Sequence, residues 1–482
     1  MNLEEYCTYD ATGLAELVRN GDVSAKELAE LAFAGVEKVN PKLNAVIEVF
    51  KDRVETLDES TIPDGPFTGV PFFLKDLGPR QKGRLQEAGS RLMKGYVADY
   101  SSFVTEKMEL SGLNIMGRTT CPEYGLTATT ESFLTGPTTN PWNTEKIAGG
   151  SSGGSAAITA AGVVPMSHSN DGGGSTRCPA SICGNAGMKH SRGRISYAPE
   201  GCDLLFPIFS EGVNARTIRD LAGFLDAVMG PAPGESIPWC RPERPYVEEA
   251  IREPGKLKIA VCMDRFGPVH YEKHVAAEMG RVANLCAEAG HIVEEAAPEM
   301  DYERYYEMFK RIWVTDISLQ IDYDAQLMSR LISDETLEPM TLQMYEAGKS
   351  ATVADRLQVN ASMSAAARQL GMFYEQFDLL LTPVWAQSTP SLGGGFNLAQ
   401  EEQTLDEWFD NAFQLIPVTP LNNFTGTPAI SLPLARDSQG LPLGMHFMAP
   451  MGREDRLFNL AGQLEKIAPW RDKIPPVHVS SI

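Results

Sequence analysis

The sequence predicts an α/β protein built as one extended domain, and three observations carry that expectation. Runs of strand character alternate with helical ones, most plainly where residues 257–262, 272–289 and 291–295 follow as strand, helix and strand. The chain has 482 residues, 43% of them hydrophobic, which is enough to bury a large core. Between residues 149 and 192, two glycine-flanked serine clusters stand on either side of one short apolar segment. Glycine loses more conformational freedom on folding than any other residue, so such clusters mark places where the backbone must do something special.

The elements follow in order. The first forty residues read as helices. Ser24-Ala25-Lys26-Glu27 has the pattern of a capping box, Leu28, Leu31, Ala32, Gly35, Val36 and Val39 recur at helical spacing, and Asn40-Pro41 closes the element. Residues 67–74 are largely apolar and read as a buried strand that delivers Lys75 at its carboxyl end. A helix carrying Val104, Met108, Leu110 and Leu113 precedes a short strand at 114–117. Residues 155–161 favour a small-residue helix, 163–166 a short strand and 179–187 a second tight helix, and a resemblance taken up below adds a further helix at 211–229. Residues 230–244, rich in proline and glycine, read as a surface connection. Residues 301–376 are mostly helical, and Tyr305, Tyr306, Met308, Phe309, Ile312 and Trp313 form an aromatic stripe that reads chiefly as core, with substrate pocket as the other reading.

Composition excludes several classes. Forty-two basic against 63 acidic residues leave a net charge of −21, which argues against a nucleic-acid or anionic-membrane surface. The eight cysteines, Cys202 among them, show no Cys-x-x-Cys pair and no zinc spacing with the seven histidines, so no metal site is expected. No basic and apolar leader opens the chain, and no apolar run reaches the ~18 residues of a membrane span, so a reducing, cytoplasmic setting is expected.

The chemistry concentrates in the two clusters. Consecutive glycines can turn backbone N–H groups towards one point and hold an oxygen that is becoming an anion. Gly172, Gly173, Gly174 and Ser175 could form such a nest, which makes Ser175 the candidate nucleophile, in need of a base within hydrogen-bond reach. Two rival readings exist. A flexible Gly/Ser linker fits poorly, because residues 156–166 are too apolar for a solvated tether. Gly149-Gly150-Ser151-Ser152-Gly153 also fits Gly-x-Ser-x-Gly, which would make Ser151 the nucleophile and require a histidine such as His168 or His190, but residues 143–148 do not look like the strand that motif needs.

These segments resemble the amidase signature family. The shared residues are the Gly149-Gly150-Ser151-Ser152-Gly153-Gly154 block, then Asp171 to Ala180 as Asp-x-Gly-Gly-Ser-x-Arg-x-Pro-Ala, with Lys75-Asp76 after Gly69-Val70-Pro71-Phe72-Phe73-Leu74. Further matches at 138–143, 377–383 and 422–444 extend the likeness over nearly the whole chain. Two departures are modest, Arg118 for a lysine and Thr120 for an asparagine; Val213 also replaces a proline, and one departure matters, His190-Ser191 where Pro-Thr is usual.

The resemblance implies one amidase domain over residues 1–482, a central mixed β-sheet flanked by helices, a catalytic core at 65–200 and a substrate-shaping segment at 301–376. It implies a Ser-Ser-Lys triad: Ser175 as nucleophile, Ser151 as proton relay after a cis peptide, and Lys75 as a base held neutral by desolvation. Lysine at a strand end reads otherwise as a side chain snorkelling to water or pairing with Asp76. Gly172, Gly173, Gly174 and Ser175 would supply the oxyanion hole, Asp171 and Arg177 would brace it, and Glu123, Tyr124 and Trp313 would touch substrate. The implied activity is hydrolysis of a small-molecule carboxylic amide through an acyl-enzyme, without cofactor, nucleic-acid or membrane partner. Cyclic amides, esters and hydrazides are further substrate classes, and a homodimer is compatible with the sequence. The motifs sit nearer the broad bacterial amidases, including those acting on aminohexanoate oligomers, than the glutamine-hydrolysing subunits of tRNA-dependent amidotransferases. That subunit role, a Ser-His-Asp hydrolase and an amide-binding scaffold stay open beside it.

Overall fold

The structure, a computed structural model, describes residues 1–201, 207–235 and 240–481. At its centre lies an eight-stranded sheet in the order Ile292–Glu295, Lys258–Val261, Leu379–Pro383, Pro442–Met448, Ala429–Arg436, Ala186–Lys189, Glu211–Ala215 and Met166–Asn170. Lys258–Val261 runs parallel to both of its neighbours, and every other pairing is antiparallel, so the sheet is mixed as expected. Leu379–Pro383 and Pro442–Met448 are buried at every position, as strands covered on both faces must be. A second sheet sets Pro71–Lys75 parallel to Asn114–Thr119, with Val46–Val49 on the far side.

The helical reading of the amino terminus holds, with two differences. Ser24 Oγ accepts from Glu27 N–H, but the Glu27 carboxylate takes the Met1 ammonium at 2.8 Å, so the box is only half closed. Helix Ala25–Leu43 runs through Pro41 and ends at Asn44 in the left-handed region. Pro41 lies within its last turn, where it deprives the Glu37 carbonyl of an N–H partner but has no long run of helix after it to interrupt.

Three boundaries differ more. The strand expected at 163–166 is Met166–Asn170. The helix expected at 179–187 splits into helix Arg177–Cys183 and strand Ala186–Lys189, and that at 211–229 into strand Glu211–Ala215 and helix Ile218–Val228. Met166–Asn170 and Glu211–Ala215 are buried yet polar, because their side chains bond to one another and to neighbouring elements instead of alternating between core and water. His168 Nε2 meets Glu211 Oε2 at 2.8 Å, and Ser169 Oγ meets Thr176 Oγ1 at 2.9 Å. Asn143–Ile147 is a strand after all, in a partly exposed hairpin with Thr139–Asn140 outside the main sheet. Cys202 and residues 236–239 of the proline-rich connection lie outside the described residues.

Helices Tyr302–Met328, Pro339–Gly348 and Val353–Phe373 form the expected helical span, and the first carries the aromatic stripe. Tyr305, Met308, Phe309 and Ile312 are core, whereas Trp313 is only half buried. Among the described residues no helix is long and apolar enough to cross a membrane.

Candidate active site

Lys75 ends a strand of five buried residues and is itself 1% exposed. Its Nζ donates to Ser151 Oγ and to Asn170 Oδ1, each at 2.6 Å. Burial pulls its ammonium down from the ordinary lysine value to about 8. The pairing with Asp76 that its position allowed does not form. Asp76 turns instead to Arg118, which also holds Glu48 and Glu87. The Arg-for-Lys departure thus supplies Asp76 with a buried partner of its own.

Asn170 is the residue that sequence reasoning missed. It closes strand Met166–Asn170, and its Nδ2 donates to Leu77 O at 2.9 Å while its Oδ1 holds Lys75. Its one visible signal is its position immediately before Asp171 in the second cluster.

The peptide between Gly150 and Ser151 is cis. Gly125, at φ +68°, lies directly over Ser151, where a β-carbon would come within 3.0 Å of Oγ and 2.5 Å of Leu77 Cδ2. The two serine clusters meet through the backbone, Ser152 N–H donating to Ser175 O at 3.2 Å. Ser175 is 7% exposed, and its hydroxyl has no hydrogen-bond partner among the described residues. The Lys75–Ser151 hydrogen bond is therefore formed, and none joins Ser151 Oγ to Ser175 Oγ.

Asp171 and Arg177 form a buried pair, with Nε and Nη2 of Arg177 each 2.9 Å from an Asp171 oxygen. The guanidinium beside it holds the Asp171 carboxyl well below the usual range against the cost of burial. Arg177 also reaches Asn422, Asn423 and Thr419 O. Of the four amides expected to face an oxyanion, that of Gly174 donates to Asp171 Oδ1 at 2.7 Å. The amides of Gly172, Gly173 and Ser175 take no acceptor among the described residues.

Both histidines are structural. His168 Nδ1 accepts from Lys75 backbone N–H at 3.3 Å while Nε2 faces Glu211. His190 Nε2 faces Glu211 O, and burial lowers its pKa to about 4. Neither is bonded to Ser151 or Ser175.

Two cavities flank this centre. Ser175 lies on the wall of one, a space of about 470 Å³ lined by Phe309, Trp313, Trp408, Phe409 and Phe413. The other, about 1130 Å³ counted to its open mouth, runs past Asn170 and Gly125 between Leu77, Tyr124, Trp313 and Asp324. Gly125, Leu126 and Trp313 belong to both walls. Tyr124 and Trp313 thus stand where substrate could reach them. Glu123 does not: its carboxylate accepts from Ser90 Oγ at 2.8 Å and from Glu338 N–H at 2.7 Å, at the start of helix Pro339–Gly348. Burial and the nearby Glu123 push Glu338 up to about 8.

The Amidase family model matches residues 27–458. A 6-aminohexanoate-cyclic-dimer hydrolase from Paenarthrobacter ureafaciens is 35% identical over 480 residues, 97% of this chain and 96% of that protein. A putative amidase AmiC from Mycobacterium tuberculosis is 33% identical, covering 96% and 95%. A structure of 6-aminohexanoate cyclic dimer hydrolase complexed with substrate superposes with a TM-score of 0.91 at 33% identity, covering 98% of this chain and 99% of that one. The family match and these full-length relatives together place the chain: it belongs to the amidase family and is an amide hydrolase.

Proposed function

We propose that the enzyme cleaves amides through an acyl-enzyme on Ser175, with Ser151 as proton relay and Lys75 as base. The observation that carries this reading is the buried Lys75 amine, 2.6 Å from Ser151 Oγ and close to neutrality near pH 8. An uncharged Lys75 keeps one N–H on Asn170 Oδ1 and offers its lone pair to the Ser151 hydroxyl. As Ser175 Oγ attacks the carbonyl, its proton passes to Ser151 Oγ and the Ser151 proton to Lys75. The open amides of Gly172, Gly173 and Ser175 are the donors for the oxyanion. The proton returns through Ser151 to the leaving nitrogen as the C–N bond breaks, and water then releases the acid by the same route. Residues 65–200 supply the reacting groups and 301–376 shape the cavities. The relatives that act on 6-aminohexanoate cyclic dimer favour an aliphatic amide as substrate. The seven described cysteines are all free thiols, which supports a reducing, cytoplasmic compartment.

The test is fluorophosphonate labelling read by mass spectrometry, alongside turnover of the purified chain alone on linear and cyclic aliphatic amides. The label is expected on Ser175, and Ser175→Ala is expected to lower kcat by roughly 10⁴-fold or more. A label on Ser151 would refute the assignment, and turnover only with added partner chains would favour the amidotransferase role.

A second expectation concerns Asn170. Asn170→Asp sets a carboxylate 2.6 Å from the Lys75 amine and favours the ammonium, so the Lys75 pKa should rise above about 8. The rising limb of kcat against pH should move to higher pH by a unit or more. An unmoved limb would show that the limb does not report Lys75.

A further inference from the structure

The larger cavity is unusual in the charge of its wall. Among the described residues it carries four carboxylates, Glu200, Glu211, Asp316 and Asp324, against one cation, Arg80. Glu211 is engaged by His168, and Glu200 by the Ser102 hydroxyl. Arg80 is held at 2.7 Å by the Tyr100 hydroxyl and lies over the rings of Tyr96 and Tyr100. Asp324, 3% exposed, receives Gln320 Nε2 at 3.0 Å and faces the Tyr124 hydroxyl and, further off, the Arg80 guanidinium, and no cation is bonded to it among the described residues. Asp316, 4% exposed, pairs with Arg356 through Oδ1, while its Oδ2 is buried with no partner among the described residues.

Arg356 covers only one oxygen of Asp316 and no cation is bonded to Asp324, so the burial of the two carboxylates is compensated only in part. Burial accordingly raises Asp316 to about 7 and Asp324 to about 6. Asp316, Gln320 and Asp324 stand at i, i+4 and i+8 on helix Tyr302–Met328, so they form one strip of acceptors along a single helix face. The strip begins one turn beyond Trp313, the residue shared with the cavity that holds Ser175. Leu77, Met93, Leu126 and Ile317 make other parts of the wall apolar.

We propose that this cleft selects amide substrates bearing a terminal alkylammonium, whose aliphatic chain lies against Leu77, Leu126 and Ile317 while its three N–H donors meet the Asp316–Gln320–Asp324 strip. The proposal rests on the reading of Ser175 as the reacting serine and names the substrate class for it. A carboxylate at the same end would meet like charge.

Two experiments separate the failure of this inference from the failure of the hydrolytic reading. The first compares kcat/KM for amides of one acyl chain length ending in ammonium, methyl or carboxylate. The ammonium substrate is expected to lead the methyl one at least tenfold and the carboxylate one by more, and Asp324→Asn to reduce the ammonium-to-methyl ratio at least fivefold. A methyl substrate equal to or better than the ammonium one overturns the proposal. The second titrates 1,6-diaminohexane and 1,6-hexanediol into Ser175→Ala protein by calorimetry at pH 7.5, with and without Asp324→Asn. Diamine binding that the diol lacks and that Asp324→Asn weakens sustains the proposal even if no amide is turned over. Equal binding of the two, or diamine binding untouched by Asp324→Asn, overturns it.

Discussion

Lys75→Met is expected to lower kcat by about 10³- to 10⁵-fold while leaving the protein at least nearly as stable as before. The two halves follow from one fact: the amine is buried and its pKa is pulled down to about 8. Between pH 8 and the ordinary lysine value the unfolded chain binds more protons than the folded one, so stability rises with pH across that window. Below pH 8 the buried ammonium is at its most costly, by up to about 3 kcal/mol at ~1.4 kcal/mol per pKa unit. Methionine removes that cost but leaves Ser151 Oγ and Asn170 Oδ1 without their donor, which returns about 1–3 kcal/mol. Melting should therefore shift little while turnover collapses and the rising limb near pH 8 disappears. A variant keeping a tenth of wild-type kcat, with its limb in place, would remove Lys75 from the mechanism.

Arg177→Met should do the opposite and damage the fold first. Arg177 is fully buried, and its guanidinium neutralises Asp171 while tying the glycine loop to Thr419, Asn422 and Asn423. Breaking one side of such a buried pair costs about 3–5 kcal/mol, because the remaining charge keeps amide donors but loses its bonded counter-ion. In the wild type the Asp171 carboxyl is held low, so its contribution is present above the ordinary carboxylate range and is lost only as pH falls through its folded value. In the variant burial remains without the cation, the folded pKa lies above the unfolded one, and stability is lost as pH rises. The deficit should thus be larger at pH 8 than at pH 5.5, read as the shift in thermal midpoint at each pH. A deficit under 1 kcal/mol, or one independent of pH, would show that the pair does not hold the loop.

What could be read in the sequence was whatever the backbone announces locally. Ser24 marks a helix start, the glycines at 149–154 and 172–174 mark special backbone, and the run into Lys75 marks a strand. Met166–Asn170 and Glu211–Ala215 were hidden because their periodicity is absent: buried serine, histidine, asparagine and glutamate satisfy one another across the chain, and no window of sequence shows that. Asn143–Ile147 was hidden for the converse reason, being polar because its hairpin is partly wet. Asn170 and the acidic strip escaped notice because their meaning depends on partners about 90 to 240 residues away in sequence.

The joint between Glu123 and Glu338 gives the helical span a fastening of its own. A proton retained by Glu338 to about pH 8 lets two acids share one dry corner, where Glu123 grips the first amide before helix Pro339–Gly348. Alkali strips that proton and sets two negative charges against each other, so the clasp weakens in the same range that frees the Lys75 lone pair. The same joint ties the start of helix Pro339–Gly348 to the segment that carries Tyr124 into the larger cavity.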